Sequence, residues 1–306
     1  MDQLIILITG ATTGIGRDAA LYLAKKGHRV IATGRNVSAL ASLKQEAAGT
    51  GLETLRLDVT DATSIASAKE AVDRMTAGYG VDVLVNNAGY GQVSPVVEAP
   101  DAEVRGQYET NVFGLLAMVR AFVPQMMDRR SGRVINVGSS GGRVTLPLFG
   151  AYNSTKYAVE SLSDAMRREL HPFGVKVSII EPGPIKTEFS NRSVVDVSQY
   201  QHAGSRYSAL FAKADEMKQK ADALSAETIV VSKAIEKAAT SSWPAARYVM
   251  PFSTALGLFF SRFMPTPVLD LVMRWALGLN AKLLATKPAR ASARPPRLLS
   301  ADASAA

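Results

Sequence analysis

Short apolar runs recur along the chain, each followed by a longer segment in which apolar residues return every three or four positions. The runs Leu4–Thr9, Arg29–Thr33, Glu53–Leu57, Val81–Asn86, Arg133–Val137 and Lys176–Glu181 read as strands. The segments Gly14–Lys26, Val37–Ala48, Ala62–Thr76, Asp101–Met127 and Tyr152–Leu170 between them read as helices. Near-continuous apolarity is what a strand covered on both faces requires, so the runs predict a parallel sheet. Strict alternation of strand and helix then predicts one doubly wound α/β sheet with helices on both faces and its ligand at the carboxyl ends of the strands.

The pattern breaks after Glu181-Pro182-Gly183. Residues 188–225 are polar, mixed in charge and without clear period, which fits either a flap of short helices over a site or a plain surface insertion. A helix over Ala226–Thr240 and a strand over Arg247–Met250 restore order. This divides the chain into a catalytic body over 1–250, an apolar helical extension over 251–285 and a basic tail over 286–306 whose composition predicts disorder. The stretch from Ala255 to Leu277 is more apolar than a surface helix needs, yet Arg262, Pro265, Pro267, Asp270 and Arg274 interrupt it before ~20 apolar residues accumulate. Three uses stay open for it: a lid over an apolar substrate, a subunit interface in a homodimer or homotetramer, or peripheral attachment to a membrane through 255–297.

Composition narrows the chemistry. At 306 residues and 47% hydrophobic content the chain can bury a large single core. The absence of cysteine excludes disulfides, thiolate metal sites and a cysteine nucleophile, and no histidine or acid cluster has metal-ligand spacing. The start, Met1-Asp2-Gln3 followed by an apolar run, has neither the basic flank nor the cleavage site of a signal peptide, so a cytoplasmic enzyme is expected. Net charge is +8, but Lys282, Lys287, Arg290, Arg294 and Arg297 concentrate it in the tail, with no acid between them. No aromatic interleaves that basic run, which argues against a nucleic-acid partner.

Directly after the first strand stands Thr9-Gly10-Ala11-Thr12-Thr13-Gly14-Ile15-Gly16, opening a helix. Glycines in such a turn let backbone approach a pyrophosphate, and the helix amino end offers free N–H donors. A Rossmann dinucleotide site over Gly10, Thr12, Thr13, Gly14, Ile15 and Gly16 follows from strand before and helix after. Roughly twenty residues on, where an NAD enzyme carries an acid for the ribose hydroxyl, the chain has Gly34-Arg35-Asn36. Arg35 can fork a 2′-phosphate, so NADP(H) is the expected cofactor, against the alternative of a solvated arginine. Thr33 could add a hydroxyl. Asp58-Val59 after the third strand and Asn87-Ala88-Gly89 after the fourth lie where adenine and ribose would run, although each is also a turn former.

Tyr152-x3-Lys156 puts a phenol and an ammonium one helical turn apart, but Tyr22-x3-Lys26 has the same spacing on the first helix. Context separates them, since only Tyr152 follows a glycine-rich loop, Gly138-Ser139-Ser140-Gly141-Gly142, at the end of a strand. An adjacent ammonium and an oxidised nicotinamide would lower the phenol's pKa toward neutrality. Ser139, or alternatively Ser140, would hold the substrate oxygen.

Taken together these residues resemble the short-chain dehydrogenase/reductase family over about Leu4 to Met250. The resemblance implies a tetrad of Asn111, Ser139, Tyr152 and Lys156, with Tyr152 the acid–base, Lys156 and Tyr152 also touching the cofactor, and Asn111 holding a water on the way to Lys156. It further implies that Pro182, Gly183, Ile185 and Thr187 receive the nicotinamide carboxamide. Arg35 matches the NADP-preferring members, whereas Thr13 stands where many of those carry a basic residue. The phrases Asn136-Val137-Gly138-Ser139 and Glu181-Pro182-Gly183-Pro184 are similar to members acting on steroids and retinoids, which makes the expected substrate apolar. A catalytically silent nucleotide-binding regulator on the same fold is the rival reading; it would show a broken tetrad.

Overall fold

In a computed structural model, which describes residues 3–187, 196–202, 204–279 and 284, the apolar runs form seven strands. These are β1 (Ile5–Ile8), β2 (Arg29–Gly34), β3 (Leu52–Arg56), β4 (Val83–Asn86), β5 (Gly132–Val137), β6 (Val175–Pro182) and β7 (Arg247–Met250). All pair in parallel, in the order β3-β2-β1-β4-β5-β6-β7. The chain winds outward from β1 to β3 and then returns to β4 on the other side of β1. Helices therefore leave β1 and β4 in opposite directions, and a crevice opens above their carboxyl ends.

Both faces of the sheet are covered, which is why its central strands β1 and β4 are almost wholly apolar. On one face Ala19, Ala20 and Leu23 of α1 (Gly14–Lys25) meet Val231 and Ile235 of a helix spanning Ile229–Thr240. The small side chains of α1 let it lie close to the sheet. On the other face α3 (Ala62–Met75), α5 (Leu115–Asp128) and α6 (Gly150–Glu169) bury Val72, Met118, Phe122 and Val159. Each such side chain contributes about 1.5–3 kcal/mol relative to exposure. Between these lie α2 (Val37–Glu46) and α4 (Asp101–Tyr108).

Two sequence expectations change in detail. The helix expected over Asp101–Met127 is α4 followed by a wider π-helical stretch, Glu109–Gly114, and then α5. Apolar spacing hides this because the buried positions continue on both sides of the wide turn. Within 188–225 the described residues form a 3₁₀ turn (Asp196–Tyr200) and helices α7 (Ser208–Phe211) and α8 (Ala214–Ala223). Val197, Tyr200, Leu210 and Phe211 bury together with Leu148 into a small separate core, with the Tyr200 and Phe211 rings stacked at 5.2 Å. This segment is thus docked on the loop that leads into α6.

With the Ile229–Thr240 helix as α9, the apolar extension forms α10 (Phe252–Ser261) and α11 (Thr266–Ala276), and neither helix buries a residue completely. Phe252, Phe259, Phe263, Leu271 and Trp275 stand in solvent. No helix among the described residues is long and apolar enough to cross a membrane. The basic tail lies outside the described residues.

Candidate active site

The crevice gathers the residues expected at the cofactor end. Gly10 takes a left-handed conformation (φ 66°) that a side chain would strain. Gly16 admits no side chain for another reason: an added Cβ would lie 2.4 Å from Asn87 Nδ2 and 2.5 Å from the Gly10 carbonyl oxygen. Asn87 Nδ2 donates to the Thr9 and Gly10 carbonyls at 2.9 and 3.1 Å, so the turn after β4 is laced to the turn after β1. Thr9, which sequence reading passed over, completes the lacing by accepting from Asn87 and Ala88 N–H at 3.0 Å each. Thr13 caps α1 without a side-chain hydrogen bond, and no acid occupies the first turn, so the Gly14-Ile15-Gly16 end keeps the electropositive character that a phosphate needs.

Thr12 packs over the end of β2, where an added Cβ on Gly34 would lie 2.5 Å from its methyl. Beside it Arg35 is 71% exposed, with its Nη1 4.0 Å from Asp58 Oδ2. Burial works to raise the Asp58 pKa, but hydrogen bonds from Thr60 and the charges of Arg35 and Arg56 outweigh it and hold the carboxyl below its ordinary value. Val59 packs against Gly114 of the π-helical stretch. Thr33 is fully buried and its hydroxyl donates to the Ile8 carbonyl at 3.0 Å, which leaves it no reach into the crevice. At the far end Pro182 pairs with Met250, Gly183 N–H donates to Met250 O at 2.7 Å, and Ile185 bridges Ala226. Thr187 comes back against Gly14, where an added Cβ would meet its own at 3.3 Å.

The four residues of the expected tetrad converge. Asn111, on the π-helical stretch and 2% exposed, accepts from Tyr90 N–H at 3.0 Å. Its amide donates to Tyr90 O at 2.8 Å and to Thr155 Oγ1 at 3.0 Å. Lys156 Nζ is buried and donates to the Val137 carbonyl at 2.9 Å. Gly89 lies between them, since its added Cβ would be 3.0 Å from Asn111 Oδ1 and 3.8 Å from Lys156 Nζ. Ser139 Oγ accepts from Gly141 N–H at 3.0 Å, and the hydroxyl hydrogen-bonds with the Tyr152 phenol. It is therefore Ser139 that meets Tyr152, while Ser140 starts a 3₁₀ turn.

The protein's own groups shift both side chains of the Tyr152–Lys156 pair. Burial pushes the Tyr152 phenol up to about 12, with the Ser139 hydrogen bond working against it. Burial likewise lowers Lys156 to about 8, opposed by the charge of Glu160. Desolvation is the larger influence on Tyr152, so among the protein's own groups the phenol stays protonated at neutral pH.

The decoy pair resolves clearly. Tyr22 donates to Glu236 at 2.6 Å and Lys26 Nζ lies 3.7 Å from the same carboxylate, so this pair ties α1 to α9.

A model of the short-chain dehydrogenase family matches residues 4–197. The chain belongs to this family. As a short-chain dehydrogenase it is an oxidoreductase, and its fold is shared by solved members. It is similar to the 3-ketodihydrosphingosine reductase of Bacteroides thetaiotaomicron, 37% identical over 65% of this chain and 70% of that one. It is also similar to the NADPH-dependent 3-dehydrocapnine reductase of Ornithobacterium rhinotracheale, 32% identical over 80% of this chain and 87% of the relative. A structure of serine dehydrogenase complexed with NADP+ matches this short-chain dehydrogenase with a TM-score of 0.70 and 31% identity, over 82% of this chain and 96% of that one.

Proposed function

We propose that the protein is an NADP(H)-dependent enzyme interconverting a carbonyl and a primary or secondary alcohol on an apolar, lipid-like substrate, with Tyr152 as acid–base. The observation that carries this reading is the hydrogen-bonded Ser139–Tyr152 pair, one turn from the buried Lys156. Its decisive test is the Tyr152→Phe variant.

The crevice fits a dinucleotide on its own terms. The Gly16 position has no room for a Cβ, and the first turn of α1 lacks both a side-chain cap and an acid. Gly10, Thr12, Thr13, Gly14, Ile15 and Gly16 would hold the phosphates, Asp58, Val59, Asn87, Ala88 and Gly89 the adenosine half, and Pro182, Gly183, Ile185 and Thr187 the carboxamide. When bound, the nicotinamide supplies or takes the hydride. In the reducing direction Ser139 donates a hydrogen bond to the substrate oxygen and fixes its carbon, and Tyr152 gives its proton to that oxygen. Lys156 offsets the charge left on the phenolate, and Asn111 keeps the turn after β4 in register with α6. A silent regulator would be read from a gap in this set; each position carries the residue type the chemistry needs.

Arg35 supports NADP(H) over NAD(H), in line with the cofactors named for the reductase and the serine dehydrogenase above. Arg35→Ala should raise KM for NADPH by about tenfold or more, the worth of charge-assisted hydrogen bonds, while leaving KM for NADH nearly unchanged. Parallel initial-rate curves with both cofactors check this, and equal effects on the two would remove Arg35 from the argument.

The lipid-like substrate is supported by the sphingoid ketone in one relative's name and by the exposed aromatic face of α10 and α11. That face, followed in sequence by basic residues from Lys282 to Arg297, suits peripheral attachment to an anionic bilayer. In sedimentation with vesicles the protein should bind those containing about a third anionic lipid and not purely zwitterionic ones, and a Phe259→Asp/Trp275→Asp variant should stay in the supernatant. If those substitutions instead split an oligomer on gel filtration without changing vesicle binding, the face is a subunit interface.

A further inference from the structure

Behind the Ser139 loop lies a group of charges that the chemistry above does not use. Glu181, on β6, is fully buried, and Glu160, one turn beyond Lys156 on α6, is 7% exposed. Arg143, which ends the turn after Ser139, donates from Nη1 to the two Glu181 oxygens at 3.3 and 3.2 Å. Arg247, on β7, lies 3.1 Å from Glu181 Oε1, 3.1 Å from Glu160 Oε2 and 3.1 Å from Asp164 Oδ1. Arg143 and Arg247 thus tie the three carboxyls together, and Arg167 and Arg168 also face Asp164. Glu160 Oε1 is buried with no donor facing it, while the Glu160 and Glu181 carboxyls stand within hydrogen-bonding reach of each other. Two carboxylates this close and this dry resist joint ionisation. A proton on Glu160 lets one carboxyl donate to the other.

The loop that depends on this group has little slack. An added Cβ at Gly142 would lie 2.8 Å from the Lys156 carbonyl oxygen, and one at Gly138 would lie 2.8 Å from Ile179 Cδ1. The backbone carrying Ser139 is wedged between β6 and α6, and Arg143 is the side chain that ties it to both through the carboxyls. We propose that Glu160 and Glu181 form a carboxyl pair sharing one proton, which through Arg143 holds Ser139 in place against the Lys156 turn. Arg143 and Glu181 are on this account positioning residues, and the proposal rests on Ser139 as the hydroxyl that meets the substrate.

Protonation of the pair has a definite sign. The charged groups facing Glu160 are Lys156 and Asp164 from α6, Glu181 from β6, Arg247 from β7 and Arg143 from the loop. Burial and the Glu181 charge push Glu160 up to about 7, against the pull of the arginines. A carboxyl raised in the folded state favours folding below the usual carboxylate range, and that advantage is lost as pH rises through its folded value.

In the full-length protein, the melting temperature of wild type minus that of Glu160→Gln should therefore fall by several degrees between about pH 5 and about pH 8. A difference that stays flat overturns the shared proton. Arg143→Gln should lower kcat by about tenfold or more with the nucleotide Kd held within about twofold, and Arg143→Lys should recover part of the loss. An unchanged kcat, or a loss confined to KM, overturns the positioning role. Ser139→Ala is run beside them. If it turns over at the wild-type rate, the site assignment has failed and takes the proposal with it; if it is slow while Arg143→Gln is fast, only the positioning role is lost.

Discussion

Tyr152→Phe is expected to lower turnover by about a thousandfold or more while the nucleotide Kd stays within about twofold. On the proposed mechanism the phenol passes a proton to an oxygen held by Ser139, and phenylalanine keeps the ring's packing, including its edge-on contact with Phe149 at a centroid distance of 6.4 Å. Loss of rate with binding intact is the mark of a group that acts in the transition state. Tyr22→Phe is the matched control, with the same spacing to a lysine. It removes a hydrogen bond between α1 and Glu236, so about 0.5–1.5 kcal/mol of stability should go and the rate should not. Single-turnover kinetics and nucleotide titration on the two variants check the pair. A Tyr152→Phe protein that still turns over would end the acid–base assignment.

Gly16→Ala should be the most damaging change at the cofactor end. The added methyl would meet Asn87 Nδ2 at 2.4 Å and the Gly10 carbonyl oxygen at 2.5 Å. A side-chain amide can swing away, but this one donates to the Thr9 and Gly10 carbonyls, and the second contact is with backbone. Relief requires the turn itself to open, at a cost of about 1–3 kcal/mol and a melting temperature lower by several degrees. Opening the turn also spoils the row of N–H donors at the helix start, so nucleotide affinity should drop by about a hundredfold or more. Nucleotide titration and a thermal melt give both numbers. A variant with unchanged affinity would show that the crevice does not hold a pyrophosphate.

The legible part of this protein was the part written locally. The central strands are runs of mostly apolar residues, and the Gly10–Gly16 turn, Arg35 and the Tyr152–Lys156 turn are short contiguous phrases, so spacing in sequence is spacing in space. Thr33 shows the limit: a hydroxyl at the end of β2 has the right address for a cofactor contact, but it points inward to Ile8. The ammonium beside Tyr152 is visible in sequence, whereas the desolvation that raises its pKa is not. The Arg143–Glu181–Arg247–Glu160 group had no sequence signal at all. Its members come from a loop, two strands and a helix, and only the crossing of the chain from β5 through α6 to β6 and β7 brings them together.

The π-helical stretch at Glu109–Gly114 carries Asn111 in the middle of what would otherwise be one continuous helix. An α-helix advances about 100° per residue, and the wide turn absorbs one extra residue while α4 and α5 keep their relative phase. Substitutions in this stretch leave that phase alone. Removing one residue would let the turn relax to ordinary helix with Met118 and Phe122 of α5 still on the sheet, but the wide turn that presents Asn111 would be lost. The segment should therefore tolerate changes of side chain far better than changes of length.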